Sequence, residues 1–434
     1  MRTIVFSLAA IGFLMVIGGA GIAQSGNPNS GSWSGVVVNE NCTVDEAFAE
    51  ASKCTEKDIP AAKFSLYDDT TRHIYLLDTQ DLAIGHLGDS MTAVGTLDGN
   101  TIHLTSLQPH TTIGLAVGAS APDFSARDQF GREQNLETLK GPKGTVLLFF
   151  RSADWCPYCK GQLIELQNAK ARFEAQGIKI AGISYDSVEI LKSFADRRKI
   201  DFPMLSDTES KIVRAYDVLN AEATGQFKGM ARPGYFYIDT NGLIREKFFE
   251  VKYRQRLSGN NVIGKLFPAL GDQVTDKFDA PHLTVAIEQS DRTGFPGGRI
   301  TLTAEVQLPP DVHVYSPGVK GYRSIALMMD PTPGMEFTPV NYPRAKILYL
   351  PAIKERVPVF EGKFRITQEL GISSTAEFSN SLGPDGKTFT LTGKLEYQAC
   401  DSKICYLPAS APIHWQLQVL ALDRQRAPEN IQHK

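Results

Sequence analysis

Apolar and polar positions follow different rhythms along the chain, and each rhythm marks a region. Residues 4–23 are almost continuously apolar, broken only by Ser7 and by glycines. From residue 33 to about 110 the apolar stretches are short. Residues 63–67 and 73–77 read as strands, and Asp98-Gly99 between two further strand-like runs is a hairpin signal. Between about 111 and 270 the pattern changes. Residues 145–150 and 178–185 are unbroken apolar runs, as expected for strands buried on both faces. Residues 157–175 and 188–198 carry helical spacing, and residues 235–238 and 243–247 flank a turn at Asp239-Thr240-Asn241-Gly242. Strands alternating with helices predict an α/β sheet covered on both faces. After about residue 278 the alternation stops. Ile300, Leu302, Ala304, Val306 and Leu308 are apolar at every second place, as are Ile413, Trp415, Leu417 and Val419, and Phe389, Leu391, Leu395 and Tyr397 keep the rhythm around Gly393. Period two with Pro and Gly between the runs predicts an all-β sandwich.

The expected organisation is therefore multidomain: a small β-rich domain over 33–110, an α/β domain over 111–270, a β-sandwich over 278–422 and a polar tail, 423–434. Residues 24–32, QSGNPNSGS, read as a flexible linker. For the first of these domains, a small barrel of the oligonucleotide/oligosaccharide-binding type fits the strands, although strand counting does not establish it. Composition narrows the classes further. With 42% hydrophobic and 21% charged residues, the chain is neither largely disordered, collagen-like nor a polytopic membrane protein. A net charge of −3 leaves no electrostatic footprint for nucleic acid. Met1-Arg2 ahead of the first apolar run, with small Gly21 and Ala23 before Gln24, fits a secretory signal peptide over 1–23. An uncleaved anchor has the same length. Either reading places the rest of the chain in the periplasm or otherwise outside the cytoplasm, where cysteine pairs can oxidise.

The six cysteines form three close pairs with no odd thiol: 42 and 54, 156 and 159, 400 and 405. Trp155-Cys156-Pro157-Tyr158-Cys159 follows an expected strand and opens an expected helix. A helix N-terminus stabilises a thiolate through its unpaired N–H groups and its dipole, so Cys156 is the expected attacker. Cys159, one turn along, can resolve a mixed disulfide. Pro157 fits the first helical turn, where its missing N–H costs nothing. No second CxxC or HxxxH completes a zinc site, and no metal is expected. Cys42 and Cys54 enclose eleven residues of helical character and read as a structural disulfide, contributing roughly 3 kcal/mol for a loop near that size. For Cys400 and Cys405, spacing alone leaves a structural staple and an exchangeable loop disulfide both open.

The central region resembles the thioredoxin-like superfamily, in the redoxin branch shared by TlpA-type thiol oxidoreductases and peroxiredoxins (AhpC/TSA). The resemblance rests on the cysteine motif, on Val117-Gly118-Ala119-Ser120-Ala121-Pro122-Asp123-Phe124, and on Arg232-Pro233-Gly234-Tyr235-Phe236-Tyr237-Ile238-Asp239. It implies that Pro233 is the family's cis-proline, facing the cysteine pair. Two departures matter. Thioredoxins carry a buried acid six residues before the first cysteine, where this chain has Phe150, so another group, with Glu165 on the helix the candidate, would have to serve. Peroxiredoxins carry a Pro and a hydroxyl residue seven and three places before the cysteine, where this chain has Phe149 and Ala153. Disulfide exchange is therefore favoured over peroxide reduction. Pro157-Tyr158 is the dipeptide seen in glutaredoxins.

Residues 279–420 resemble the amino-terminal domain of the DsbD thiol:disulfide interchange family, an immunoglobulin-like sandwich. Tyr397-Gln398-Ala399-Cys400, Val312-His313-Val314-Tyr315-Ser316 and Val359-Phe360-Glu361-Gly362-Lys363 carry the likeness. It implies that Cys400 and Cys405 pass electrons between a membrane reductase and other proteins, with residues 350–355 in the place of that family's cap. The family's membrane-spanning part is absent from this sequence, which implies a separate membrane thiol reductase as electron donor.

The expectation is an extracytoplasmic thiol–disulfide oxidoreductase acting on protein thiols and disulfides, with no tightly bound cofactor. Two rivals are a thiol-dependent peroxidase and a partner-docking protein with structural disulfides. A tether between the two pairs would favour intramolecular exchange at an effective concentration of order millimolar, with residues 251–278 letting the domains reorient, although the apolar residues of that segment suggest partial docking.

Overall fold

A computed structural model describes residues 30–433, apart from short stretches at 49–51, 56–62, 69–72, 110–112, 222, 251–254, 334, 351–353, 374–377 and 379–381. The signal segment, 1–23, lies outside the described residues, as does most of the linker.

Five strands, β1 (Ser30–Asn39), β2 (Phe64–Asp68), β3 (His73–Leu77), β4 (Ser90–Asp98) and β5 (Thr101–Pro109), close into a barrel in the order β1-β2-β3-β5-β4. One neighbouring pair, β3 with β5, is parallel. β1 starts inside the stretch that composition reads as linker, because Ser30, Gly31 and Ser32 pair with Thr96, Gly95 and Val94 of β4. Gly99 takes φ 57° in the turn after Asp98, which pairs with Thr101. That left-handed backbone is one Gly adopts without steric cost. Where helical character is expected between Cys42 and Cys54, the described residues form a short helix, Val44–Phe48, and a 3-10 turn, Ser52–Thr55, tied by the Cys42–Cys54 disulfide.

The central domain is a seven-stranded sheet built from β6 (Ala126–Asp128), β7 (Glu133–Gln134), β8 (Gly144–Phe149), β9 (Ile178–Ser184), β10 (Met204–Ser206), β11 (Gly234–Ile238) and β12 (Ile244–Phe248). Its order is β12-β11-β8-β9-β10-β6-β7. All six residues of β8 are buried, and the strand runs parallel to β9. Val146, Leu148 and Phe150 join a core with Leu163 and Leu166 of the helix Pro157–Ala175, while Leu147 and Phe149 join a second core with Ile183 and Phe236. The unbroken apolar run is thus explained by two covered faces. The helices Pro157–Ala175 and Val188–Arg198 have the limits that their spacing predicts.

One expectation fails here. No described peptide bond is cis, so Pro233 is trans. Ala231 bridges to Leu219 and the Arg232 N–H bonds the Val218 carbonyl, so the chain runs extended into β11 and takes the trans form that is also the lower in energy.

The described residues of the third domain are mostly in strands. Gln273–Ala280, Leu283–Gln289, Gly298–Gln307, Lys363–Ile372 and Met335–Phe337 lie in one sheet, with Arg256–Leu257 added beside Gly298. Thr293–Gly294, Ala409–Val419, Thr388–Tyr397 and Ala326–Met329 form another. Val285, Leu302 and Val306 from the first sheet share a core with Leu391, Ile413 and Trp415 from the second. A third sheet, Lys346–Leu350, Glu355–Glu361, His313–Tyr315 and Ala399–Cys400, lies at the end that holds the last cysteine pair. Of the segment expected to act as a cap, Leu350 and Glu355 pair with each other, and residues 351–353 lie outside the described residues.

Two segments that composition reads as loose are ordered. Within 251–278, the described residues include the helix Gly259–Leu266, whose Asn261 side chain donates to the Thr301 hydroxyl at 2.7 Å; Ser258 at its N-cap donates to Asp291 at 2.6 Å. Residues 423–433 fold back from the third domain onto the central one, with Ala427 buried in its core.

Candidate functional site

β8 ends at Phe149, and the chain passes through Ser152, Ala153, Asp154 and Trp155 before the helix begins. Cys156 is the N-cap of that helix, and Pro157 is its first residue. The Cys156 sulfur accepts the Cys159 N–H at 3.2 Å, and the Cys159 sulfur accepts the Arg151 N–H at 3.4 Å. Both sulfurs therefore sit on amide donors at the positive end of a 19-residue helix, the environment that stabilises a thiolate. The two cysteines are bonded to each other, with Cys156 1% exposed and Cys159 fully buried.

The loop ahead of Cys156 is held by groups that sequence reasoning missed. Asp186, just past β9, is buried, and its carboxylate accepts the Ser152 hydroxyl at 2.7 Å, the Ala153 N–H at 2.7 Å and the Ser184 hydroxyl at 2.9 Å. The Trp155 indole N–H donates to the Tyr185 hydroxyl at 2.7 Å, and that hydroxyl donates to the Gln226 carbonyl. Burial, with Asp186 beside it, pushes the Tyr185 phenol well above its ordinary pKa. Trp155 also stands edge-on to Phe227, with ring centres 4.7 Å apart. Lys160 is fully buried; burial lowers its pKa to about 8 despite Asp423 nearby. Its ammonium donates to the Asp154 carbonyl at 2.9 Å. The only signal for Asp186 was an acid at the end of an apolar strand, which local pattern does not distinguish from a turn residue.

Glu165 is the candidate for the missing acid. It is buried at the contact with the third domain, where the Phe295 N–H bonds it and Gly298 packs against it. Burial, then the Asp291 charge, holds its carboxyl well above the usual range. Pro233 is half-buried at the start of β11. Tyr158 packs against the core that includes both cysteines.

The second pair is also bonded, but its two members differ in exposure. Cys400 is 1% exposed and pairs with His313 in the third sheet, whereas Cys405 is exposed. The Tyr315 hydroxyl lies 3.7 Å from each sulfur. Burial raises the Tyr315 phenol, and Glu355 adds to the shift. Asp401 accepts the Lys403 and Ile404 N–H groups and the Tyr406 hydroxyl, which folds the five-residue step back on itself. Ile404 and Leu407 on either side of Cys405 are 57% and 88% exposed.

Cys42 and Cys54 are both buried, in a cluster with Tyr67, Tyr185 and Met230, against which Trp155 and Phe227 pack. The barrel thus covers the side of the central domain next to the Cys156 loop.

Comparison with known proteins yields two family matches. The model of the AhpC/TSA family matches residues 117–247, and that of the N-terminal part of thiol:disulfide interchange protein DsbD matches residues 284–414. Alkyl hydroperoxide reductase E of Mycobacterium tuberculosis is 37% identical over 142 residues, 32% of this chain and 86% of that protein. Peroxiredoxin Bcp of Escherichia coli is 30% identical over 142 residues, 32% of this chain and 88% of its own length. The crystal structure of peroxidoxin BcpB from Mycobacterium tuberculosis matches at 27% identity, covering 31% of this chain and 86% of that one, with a TM-score of 0.29.

Proposed function

The chain belongs to the AhpC/TSA family through its central domain, which is fused to a domain matching the DsbD N-terminal family, and from that premise we propose that it is an extracytoplasmic thiol–disulfide oxidoreductase acting on protein disulfides. The observation that carries the reading is Cys156 at the N-cap of a long helix with Cys159 bonded to it one turn on. In the reduced protein the Cys156 thiolate attacks one sulfur of a substrate disulfide and releases the other as a thiolate. Cys159 then attacks the Cys156 sulfur, which breaks the mixed disulfide and frees the second substrate thiol. Two electrons pass to the substrate, and Cys156–Cys159 is left oxidised. Trp155 and Tyr158 flank the reacting sulfurs, and Pro157 starts the helix.

In the third domain, read as an immunoglobulin-like sandwich, Cys405 is the sulfur a partner thiolate reaches and Cys400 is the buried leaving group. Its exposed neighbours Ile404 and Leu407 suit a protein partner, and a separate membrane thiol reductase is the electron donor this reading supplies. Cys42–Cys54 is structural. The extracytoplasmic setting rests on the signal-like residues 1–23 and on three cysteine pairs.

The names of the relatives, an alkyl hydroperoxide reductase and a peroxiredoxin, favour a second reading as a thiol peroxidase. Ala153 and Phe149 count against it, and the neighbouring Ser152 hydroxyl is already donated to Asp186. The test is turnover of the reduced full chain on a protein disulfide and on hydrogen peroxide. Disulfide reduction lost in Cys156→Ser, with slow peroxide consumption, is expected. Fast peroxide consumption that vanishes in Cys156→Ser would reverse the ranking.

A further inference from the structure

The polar end of the chain leaves the third domain after Val419 and crosses to the central domain. Asp423 accepts Arg197 at 2.8 Å and Arg198 at 2.7 Å, and lies 3.9 Å from the Lys160 ammonium. The Gln425 carbonyl accepts Lys160 at 2.8 Å. Arg426 then meets Asp154 through two nitrogens, one at 3.1 Å. The Ala427 N–H reaches the same carboxylate at 2.9 Å and the His433 N–H at 3.2 Å. The Arg426 guanidinium also donates to the His433 carbonyl, which closes the tail into a loop. The His433 ring stacks on Tyr185, with centres 4.2 Å apart and planes 6° apart, and its Nε2 lies 2.7 Å from Asp186.

Every hydrogen bond to the Asp154 carboxylate among the described residues comes from this tail. Asp154 is fully buried and stands two residues before Cys156. Burial disfavours its charge, but Arg426 and the Ala427 and His433 amides together keep the carboxyl below its ordinary value. A buried anion beside a thiolate repels it unless a cation intervenes. The other charged groups close by are Lys160, which meets the Asp154 carbonyl, and Arg151, whose guanidinium lies 4.9 Å over Trp155; Arg197 and Arg198 are engaged by Asp423.

We propose that residues 423–433 are part of the redox centre, with Arg426 and His433 as positioning residues that hold Asp154 and Asp186 and so set the loop that presents Cys156. The inference rests on Cys156 being the nucleophile. Arg426 neutralises the buried acid two residues before Cys156, and His433 secures the second acid, which carries Ser152 and the Ala153 amide. The segment that follows the third domain thereby bears directly on the chemistry of the central one.

The test is the pH dependence of Cys156 alkylation in the reduced full chain, read by mass spectrometry of the peptide that contains it. Arg426→Gln should move the half-point up by about one unit, so that alkylation below it slows about tenfold. Arg426→Lys should restore most of the rate. In an Asp154→Asn background, Arg426→Gln should add no further shift, because the charge it neutralises is gone. His433→Phe, which keeps a ring on Tyr185, should give a smaller upward shift. If Arg426→Gln lowers thermal stability but leaves the profile in place, the tail is a clamp alone and the proposal fails. If Cys156 in the unaltered chain titrates as an ordinary thiol near 8.5 and reduces no disulfide, the functional reading itself fails, before any variant is compared.

Discussion

Cys156 shows how much one position can determine. It is the last residue before the helix, its sulfur accepts the Cys159 amide, and two buried carboxylates flank the loop that delivers it. Amide donors and a helix N-terminus are the surroundings that favour a thiolate over a thiol. Alkylation of the reduced protein near neutral pH should therefore label Cys156 before Cys159, and Cys159→Ser should accumulate mixed disulfides because the resolving step is lost. Preferential labelling of Cys159 would reverse the two roles. Glu165 lies on the same helix. Its carboxyl is raised by burial and by Asp291, with the Phe295 amide opposing. The folded chain thus keeps a proton that the unfolded chain releases above about 4.3. Folding binds protons there, so stability falls as pH rises from that value through the raised one. Glu165→Gln keeps the shape and the acceptor for Phe295 without the charge. The variant should gain unfolding temperature relative to the unaltered chain at about pH 8 and little at about pH 5. Equal effects at the two pH values would mean that the carboxyl is ionised in the folded protein.

Elements whose stability is decided locally were legible in the sequence. The run over 145–150 has no polar break because β8 is covered on both faces, and the helix Pro157–Ala175 begins where a Cys-Pro step caps it. What was not legible depends on contacts between residues far apart in the chain. Arg426 lies 272 positions from Asp154, and His433 lies 247 from Asp186, so the tail reads as solvated charge until its partners are in place. The same holds for residues 251–278, whose Gly and Asn content suggests a hinge. Gly259 there is needed for close approach: a Cβ would stand 2.7 Å from the Ala169 Cβ and 3.0 Å from the Leu166 Cα. Gly259→Ala should force the helix Gly259–Leu266 off the helix Pro157–Ala175 and cost about 1–3 kcal/mol, as overpacking does. Thermal unfolding would register the loss; an unchanged transition would show that the two helices can part freely.

At the scale of the whole molecule, the two pairs proposed to exchange are held apart. Thr293–Gly294 pairs with Gln418 and Val419 at one end of the strand Ala409–Val419, and Phe295 next to it meets Gly161, two residues from Cys159. Cys405 precedes the other end of that strand, whose 11 residues span roughly 33 Å at the usual rise. A mixed disulfide needs its sulfurs about 2 Å apart. Reorientation would have to break the buried contacts of Ser258 and Asn261 with Asp291 and Thr301, together with the tail's grip on Asp154. A tether whose geometry forbids simultaneous engagement confers no effective concentration, so the fusion does not by itself make the relay intramolecular. Any transfer between the pairs is then expected to run between molecules, with the exposed Cys405 of one chain as the donor or acceptor for another. A chain with Cys156→Ser and Cys159→Ser, reduced at Cys400–Cys405, should exchange with an oxidised chain carrying Cys400→Ser and Cys405→Ser. In the unaltered, half-reduced protein the rate constant should rise in proportion to concentration. A first-order constant unchanged on dilution would show that the domains separate and meet within one chain, and the interface around Gly259 would then be the hinge rather than the lock.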